Sequence, residues 1–252
     1  MTMRPLITLL TDFGTADGYV AEVKGVLCSL APEAAIVDLS HEIPPQDTEL
    51  ARLTVARYWR RFPRGTVHLV VVDPGVGTAR AALAVASDGR YLVGPDNGAL
   101  SPALLLGDAQ VVALPVGPNA ARTFHGRDVF APAAAALANG IPIGSLGESM
   151  SSPMVRRTPE ATRRDDGAII GEVIAIDRFG NAVTNLVGAR SGVVAAAGRP
   201  VPVRGTYGDV PAGSPVALTG SSGLLEVAVR DGSAAQVLGL ARGATVVWYK
   251  GA

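Results

Sequence analysis

The chain has 252 residues, room for one large domain or two smaller ones. Apolar residues make up 48% and charged ones 17%, and the 22 Lys plus Arg balance the 22 Asp plus Glu. That neutrality disfavours a general nucleic-acid binder, which would carry a basic stripe, and the single cysteine, Cys28, excludes an intrachain disulfide. Cys28 falls in an apolar helical pattern and is expected as a small core residue rather than a nucleophile. The apolar run of MTMRPLITLLTDFG is short and leads straight into Asp12, unlike a signal peptide. No apolar stretch approaches the roughly 20 residues that cross a bilayer. The expectation is a cytoplasmic protein with neither membrane nor nucleic acid as partner.

Taken in chain order, the first half alternates two periods. Ile7 to Leu10, Ile36 to Leu39, Val67 to Val72, Leu83 to Ala86 and Val111 to Leu114 are short, β-rich apolar runs. Between the earliest of them, Val20, Val23, Leu27 and Leu30 recur at helical spacing, as do Leu50, Leu53 and the Tyr58–Trp59 pair. Strands alternating with helices predict an α/β domain with a mostly parallel central sheet covered on both faces. Past Ala138 the pattern changes to prolines, serines and a charged patch at Arg163 to Asp166. From Ala168 onward short strands separated by Gly, Pro, Asp or Ser predict a smaller all-β domain, an antiparallel barrel or sandwich. The boundaries read as 1–150 for the α/β domain, 151–167 for a linker and 168–252 for the β domain.

Three glycine-punctuated loops carry the chemistry. LLTDFGTADG (Leu9 to Gly18) holds Asp12 and Asp17, VVDPGVGTAR (Val71 to Arg80) holds Asp73 and Arg80, and FHGRDVFAP (Phe124 to Pro132) holds His125, Arg127 and Asp128. Asp12 follows the first strand and Asp73 the third, so both belong at the carboxyl rim, where open α/β sheets bind ligands. Asp73 and Arg80 can fold back on each other across the loop, the guanidinium favouring the charged carboxylate and fixing its direction. Each motif also has a plain structural reading. DPGVG is compatible with a turn, Asp128 with a helix cap, and Asp73–Arg80 with a structural salt bridge. His41, His68 and His125 are scattered and no HExxH or CxxC spacing occurs, so metal binding ranks low. A hard cation on Asp12, Asp17 and Asp73 is the one metal arrangement left open. Walker A, GxGxxG and GxSxG patterns are absent.

Six segments in order, LLTDFGTADGYVAEVKG, VVVDPGVGTAR, YLVGPDNGALSP, FHGRDVFAPAAAALANG, IDRFGNAVTNL and SSGLLEVAVRDGSAA, span nearly the whole chain. Together they resemble the S-adenosyl-L-methionine (SAM) hydroxide adenosyltransferases, or SAM hydrolases, the hydrolytic relatives of the SAM-dependent fluorinase and chlorinase. The resemblance implies conversion of SAM and water to adenosine and L-methionine with no cofactor and no metal. It also implies a homotrimer, each site lying between the N-terminal domain of one subunit and the C-terminal domain of its neighbour. By the same resemblance Asp73, Arg80 and His125 form a water-activating triad and Asp12 binds the ribose hydroxyls. Asp177 contacts the methionine amino group, Phe179 and Asn181 contact adenine, and Ser221 and Ser222 lie near methionine and adenosine. The halogenating relatives have a tyrosine where Asp73 stands. The fluorinase has a serine where Gly126 stands and a tryptophan where Gln46 stands.

A sulfonium leaves as a neutral thioether and needs no general acid, so the difficulty lies with water, whose pKa is about 15.7. The expected solution is Asp73 with His125 orienting that water and taking its proton. The competing readings are a halide-using adenosyltransferase, a SAM or adenosine sensor without turnover and, more distantly, a metal-dependent phosphoesterase.

Overall fold

The computed structural model describes residues 4–251, which divide into two compact units, one ending at Arg157 and the other beginning at Thr158. The first unit runs β1 (Leu6–Thr11), α1 (Tyr19–Leu30), β2 (Ala35–Ser40), α2 (Thr48–Tyr58), β3 (Val67–Val71), β4 (Ala82–Ser87), β5 (Arg90–Pro95), α3 (Ser101–Leu104), β6 (Gln110–Leu114), α4 (Ala131–Ala138) and β7 (Glu148–Ser149). Its sheet has the order β2-β1-β3-β5-β4-β6-β7. Period-two alternation sends side chains to both faces. Val67, Leu69 and Val71 of β3 pack with α1 and α4, whereas Val70 and Val72 pack with Ala51, Val55 and Trp59 around α2. Asp47 starts α2 by accepting the Leu50 N–H at 2.9 Å.

The sheet is mixed, which corrects the expectation of a mostly parallel one. β2, β1, β3 and β5 run parallel, but β4 is antiparallel to both β5 and β6, and β7 is antiparallel to β6. The cause is a hairpin. Asp88 and Gly89 both have positive φ, 46° and 68°, so the chain reverses in two residues between Ser87 and Arg90. Asp-Gly between apolar runs is the sequence signal for such a turn, and it inserts β5 beside β3. β1, β2, β3, β5 and β6 consequently all end at one rim, so the loops that follow them share one end of the sheet.

Two smaller expectations also change. Cys28 is exposed, not in the core. Val23 and Leu27 are the buried residues of α1, and Cys28 sits one residue, about 100°, beyond that stripe. In α2 the buried apolar positions are Ala51 and Val55 rather than Leu50 and Leu53. Among the described residues no helix is long and apolar enough to cross a membrane.

The second unit comprises β8 (Thr162–Arg163), β9 (Ile169–Ile176), β10 (Ala182–Val187), β11 (Val193–Ala196), β12 (Arg199–Pro202), β13 (Pro215–Thr219), β14 (Leu224–Val229), α5 (Ala234–Leu238) and β15 (Thr245–Tyr249). Seven strands pair in the order β12-β11-β15-β9-β10-β14-β13, with β8 added on β9, and all these pairings are antiparallel. A parallel bridge between Val203 and Ala217 joins the two ends of the path. The result is a nearly closed barrel around Val173, Leu186, Val194, Leu225, Val246 and Trp248.

Gly94 lies where β5 runs close beside β3, since a Cβ there would stand 2.3 Å from the Val70 carbonyl oxygen. Gly94→Ala is expected to lower unfolding free energy by about 1–3 kcal/mol, the usual cost of overpacking. Chemical denaturation checks this, and an unchanged midpoint would show that the strands are not held in this contact.

Candidate active site

Asp73 leaves the end of β3 at the carboxyl rim, and Arg80 returns to it seven residues later. Arg80 Nε donates to Asp73 Oδ1 at 2.9 Å and its Nη2 donates to Oδ2, a bidentate fork. Both side chains are more than nine-tenths buried, at 6% exposure for Asp73 and 9% for Arg80. The guanidinium also lies over the Phe130 ring, 5.3 Å from its centroid. Phe130 belongs to a π-helical turn, Gly126–Phe130, that precedes α4, a widened turn of a kind frequent at functional sites.

His125 stands immediately before that turn and is buried. Arg80 Nη2 donates to its Nδ1 at 2.9 Å. A guanidinium has no acceptor, so Nδ1 must present its lone pair and the neutral ring carries its proton on Nε2. Burial and the positive charge of Arg80 push the His125 pKa below the ordinary imidazole value, and the charges of Asp73 and Asp128 oppose them without prevailing. His125 is thus a neutral imidazole whose remaining ring nitrogen is a donor. The three sequence-selected residues meet in one cluster with Arg80 at its centre.

Asp12 follows β1 at the same rim. Its Oδ2 accepts the Gln46 N–H at 2.8 Å. Burial raises the Asp12 pKa, the Gln46 N–H works against that rise, and the Asp73 charge adds to it. Gln46 has φ 68°, the left-handed region that non-glycine residues avoid. Such outliers cluster at functional loops, and here the strained residue supplies a hydrogen bond to a candidate ligand carboxylate. Phe13 and Tyr19 meet Phe124 edge-on and each other at a tilt, with ring centroids 5.3–6.0 Å apart. They bring the TDFG and FHGRD loops together.

Arg127 and Asp128 make structural contacts, although Asp128 lies inside the π-helical turn and caps no helix, contrary to the cap expected for it. Arg127 bonds Asp128 at 2.7 Å and Glu22 of α1 at 2.7 Å, and Asp128 Oδ2 accepts the Ala121 N–H at 2.8 Å. The bonds from Arg127 hold the Asp128 carboxyl below the ordinary range. Among the described residues no three His, Cys, Asp or Glu side chains are grouped to hold a metal ion. Sequence reasoning gave no role to Asp96 and Asn97. Asn97 Nδ2 donates to the Val72 carbonyl at 2.8 Å, bracing the residue before Asp73, and Asp96 Oδ1 accepts the Met154 N–H at 2.7 Å. Their signal was the position of GPDNG at the end of β5, a strand that the sequence reading did not identify.

In the second unit the loop between β9 and β10 is built on Asp177. Its Oδ1 accepts the N–H groups of Phe179 and Asn181, each at 2.9 Å, and its Oδ2 accepts from Asn181 Nδ2 at 2.9 Å. This self-bonded turn leaves the Phe179 ring 77% exposed while Asn181 is buried. Ser221 and Ser222 lie exposed in the turn before β14. Nearby Tyr207 donates to Glu226 Oε2 at 3.2 Å; burial and the Glu226 charge raise its pKa.

Residues 7–147 match the SAM hydroxide adenosyltransferase N-terminal domain, and residues 171–247 match the corresponding C-terminal domain. The chain is similar to an (R)-S-adenosyl-L-methionine hydrolase of Thermus thermophilus, with 48% identity across 97% of this chain and 99% of that protein. It is 31% identical to a fluorinase of Actinopolyspora mzabensis over 73% of this chain and 72% of that one. Among solved structures, an uncharacterized conserved protein from Thermotoga maritima superposes with a TM-score of 0.86 at 34% identity, covering 96% of this chain and 98% of that one.

Replacing Arg80 by Met strands the Asp73 carboxylate without a partner. Breaking a buried pair this way costs about 3–5 kcal/mol, so Arg80→Met is expected to lose most of that range in urea denaturation. A loss below about 1 kcal/mol would mean that the fork contributes little to the folded state.

Proposed function

We propose that this chain, which belongs to the SAM hydroxide adenosyltransferase family, hydrolyses S-adenosyl-L-methionine to adenosine and L-methionine. The observation that carries this reading is the buried Asp73–Arg80–His125 cluster at the carboxyl rim, together with full-length similarity to a SAM hydrolase. A water oxygen attacks the ribose 5′-carbon as the carbon–sulfur bond breaks. The bonding pair passes to sulfur and neutralises the sulfonium, and one proton leaves the attacking water.

The hydrogen-bond pattern supports distinct roles within the cluster. His125 Nδ1 is occupied by Arg80, so the imidazole offers Nε2–H as a donor that orients the water oxygen. Asp73 is then the proton acceptor. Each of its oxygens takes one bond from Arg80 and keeps a lone pair for the water. General-base help is worth about 10²–10⁴-fold, and placing the water in line behind the 5′-carbon supplies much of the remainder. An anionic nucleophile meeting a cation also neutralises charge, which a site sheltered from water favours.

Asp12 is assigned to the ribose hydroxyls, Asp177 to the methionine ammonium, Phe179 and Asn181 to adenine, and Ser221 and Ser222 to the surroundings of methionine and adenosine. The α/β domain (1–150) binds SAM and does the chemistry, and the β domain (168–252) adds the adenine and methionine contacts. The reaction uses no cofactor and no metal. The assembly is a homotrimer with sites at its subunit interfaces, working in the cytoplasm. Halide transfer fits less well. A carboxylate at position 73 repels halide. A serine side chain at position 126 would also start 3.2–3.4 Å from Val71, Phe124 and Phe13.

In ¹⁸O-water without chloride, purified protein is expected to convert SAM to methionine and adenosine carrying the label. Asp73→Asn should cut turnover by about 10²–10⁴-fold while SAM still binds. Intact SAM, or unlabelled adenosine, would overturn the hydrolytic reading, and near-normal turnover in Asp73→Asn would remove Asp73 as the base.

A further inference from the structure

His41 is a buried histidine that the chemistry above does not use, and it reaches both sides of Asp12. It lies just after β2, at 6% exposure. Its backbone carbonyl accepts the Gly14 N–H at 2.7 Å, two residues past Asp12. Its Nδ1 is 2.9 Å from Thr11 Oγ1, one residue before Asp12, and the same Oγ1 accepts the Phe13 N–H at 3.3 Å. One hydroxyl therefore serves both flanks of the carboxylate. It accepts from Phe13 and has its own proton to give to the imidazole.

The imidazole is anchored on its far side. Nε2 stands 3.1 Å from Asp38 Oδ1, off the line of a formal hydrogen bond, so the attraction there is electrostatic. It draws the ring proton to Nε2 and leaves Nδ1 to accept from Thr11. Asp38 is held in turn by Lys24 of α1 at 2.5 Å. Burial pushes the Asp38 carboxyl up, and the bond from Lys24, its charge and the pull of the His41 ring bring it below the ordinary value. The same loop ends at Gln46, whose N–H bonds Asp12 directly at 2.8 Å.

We infer that His41 is a positioning residue for Asp12. Through Thr11 Oγ1 and the Gly14 N–H, it fixes the direction in which the Asp12 carboxylate meets a ligand diol. Ligand contacts are only as precise as the groups that lock their rotamers and loops. The inference rests on Asp12 being the ribose contact proposed above.

Adenosine affinity measured by calorimetry on the full-length chain separates the two claims. Asp12→Ala is expected to weaken adenosine binding about tenfold or more, as expected for a lost charge-assisted hydrogen bond. His41→Leu should weaken it about three- to tenfold, raising KM for SAM more than it lowers kcat. His41→Asn, whose amide can stand where Nδ1 stands, should recover most of the loss. In the double variant His41→Leu/Asp12→Ala the effects should not multiply, because both act through one contact. Unchanged affinity in Asp12→Ala alone overturns the ribose assignment and this inference with it. A normal Asp12→Ala effect with multiplying losses, or with no recovery by His41→Asn, overturns only the role of His41. Thr11→Val gives an independent variant should His41→Leu fold poorly, with the same affinity loss expected and an unchanged affinity counting against the inference.

Discussion

Everything in the proposed chemistry depends on one guanidinium. Arg80 grips both oxygens of Asp73 through Nε and Nη2 and uses Nη2 again on His125 Nδ1. A point charge such as lysine could neutralise the carboxylate but would lack the planar fork that fixes carboxylate and imidazole together. With Nδ1 occupied, His125 is confined to one tautomer, and burial beside a positive charge keeps the ring neutral. The division of labour between a donor imidazole and an accepting carboxylate follows from where those two nitrogens and two oxygens point.

The sheet makes that arrangement possible. A purely parallel sheet would need a helix between β3 and its next neighbour. The Asp88–Gly89 turn instead lets β4 descend and β5 rise beside β3. Five strands therefore deliver their loops to one rim, and Asn97 at the end of β5 can brace the Val72 carbonyl next to Asp73. The non-glycine residue Gln46, held with positive φ, sits at this rim as well.

Much of this was legible in the sequence because glycine-rich loops with charged ends interrupt apolar runs in the right order. Asp12, Asp73, Arg80 and His125 were all selectable on that ground, and the neighbouring Arg127 and Asp128 were equally conspicuous. Only side-chain geometry separates them, since Arg127 turns to Glu22 and Asp128 to the Ala121 N–H. β5 was missed although Asp-Gly marks its turn, because the run from Tyr91 to Pro95 merges into a glycine-rich motif. β11 was missed because it is only four residues long, two valines followed by two alanines, and runs straight into Ala197 and Gly198. His41 was passed over as one scattered histidine. Its partner Thr11 lies 30 residues upstream at the end of the neighbouring strand, and the local spacing to Asp38 alone does not announce it. Cys28 shows the converse error, since one residue of rotation along a helix separates core from solvent.

The most direct test of the account is the protonation state of His125. Nitrogen-15 NMR of histidine-labelled protein, with His125→Gln for assignment, reads both the tautomer and the titration midpoint. The account predicts a neutral ring at pH 7 with its proton on Nε2 and a midpoint below 6.5. A ring protonated on Nδ1, or one still charged at pH 7, would contradict it, because Arg80 could then not be donating to Nδ1 and the assignment of the proton to Asp73 would lose its basis.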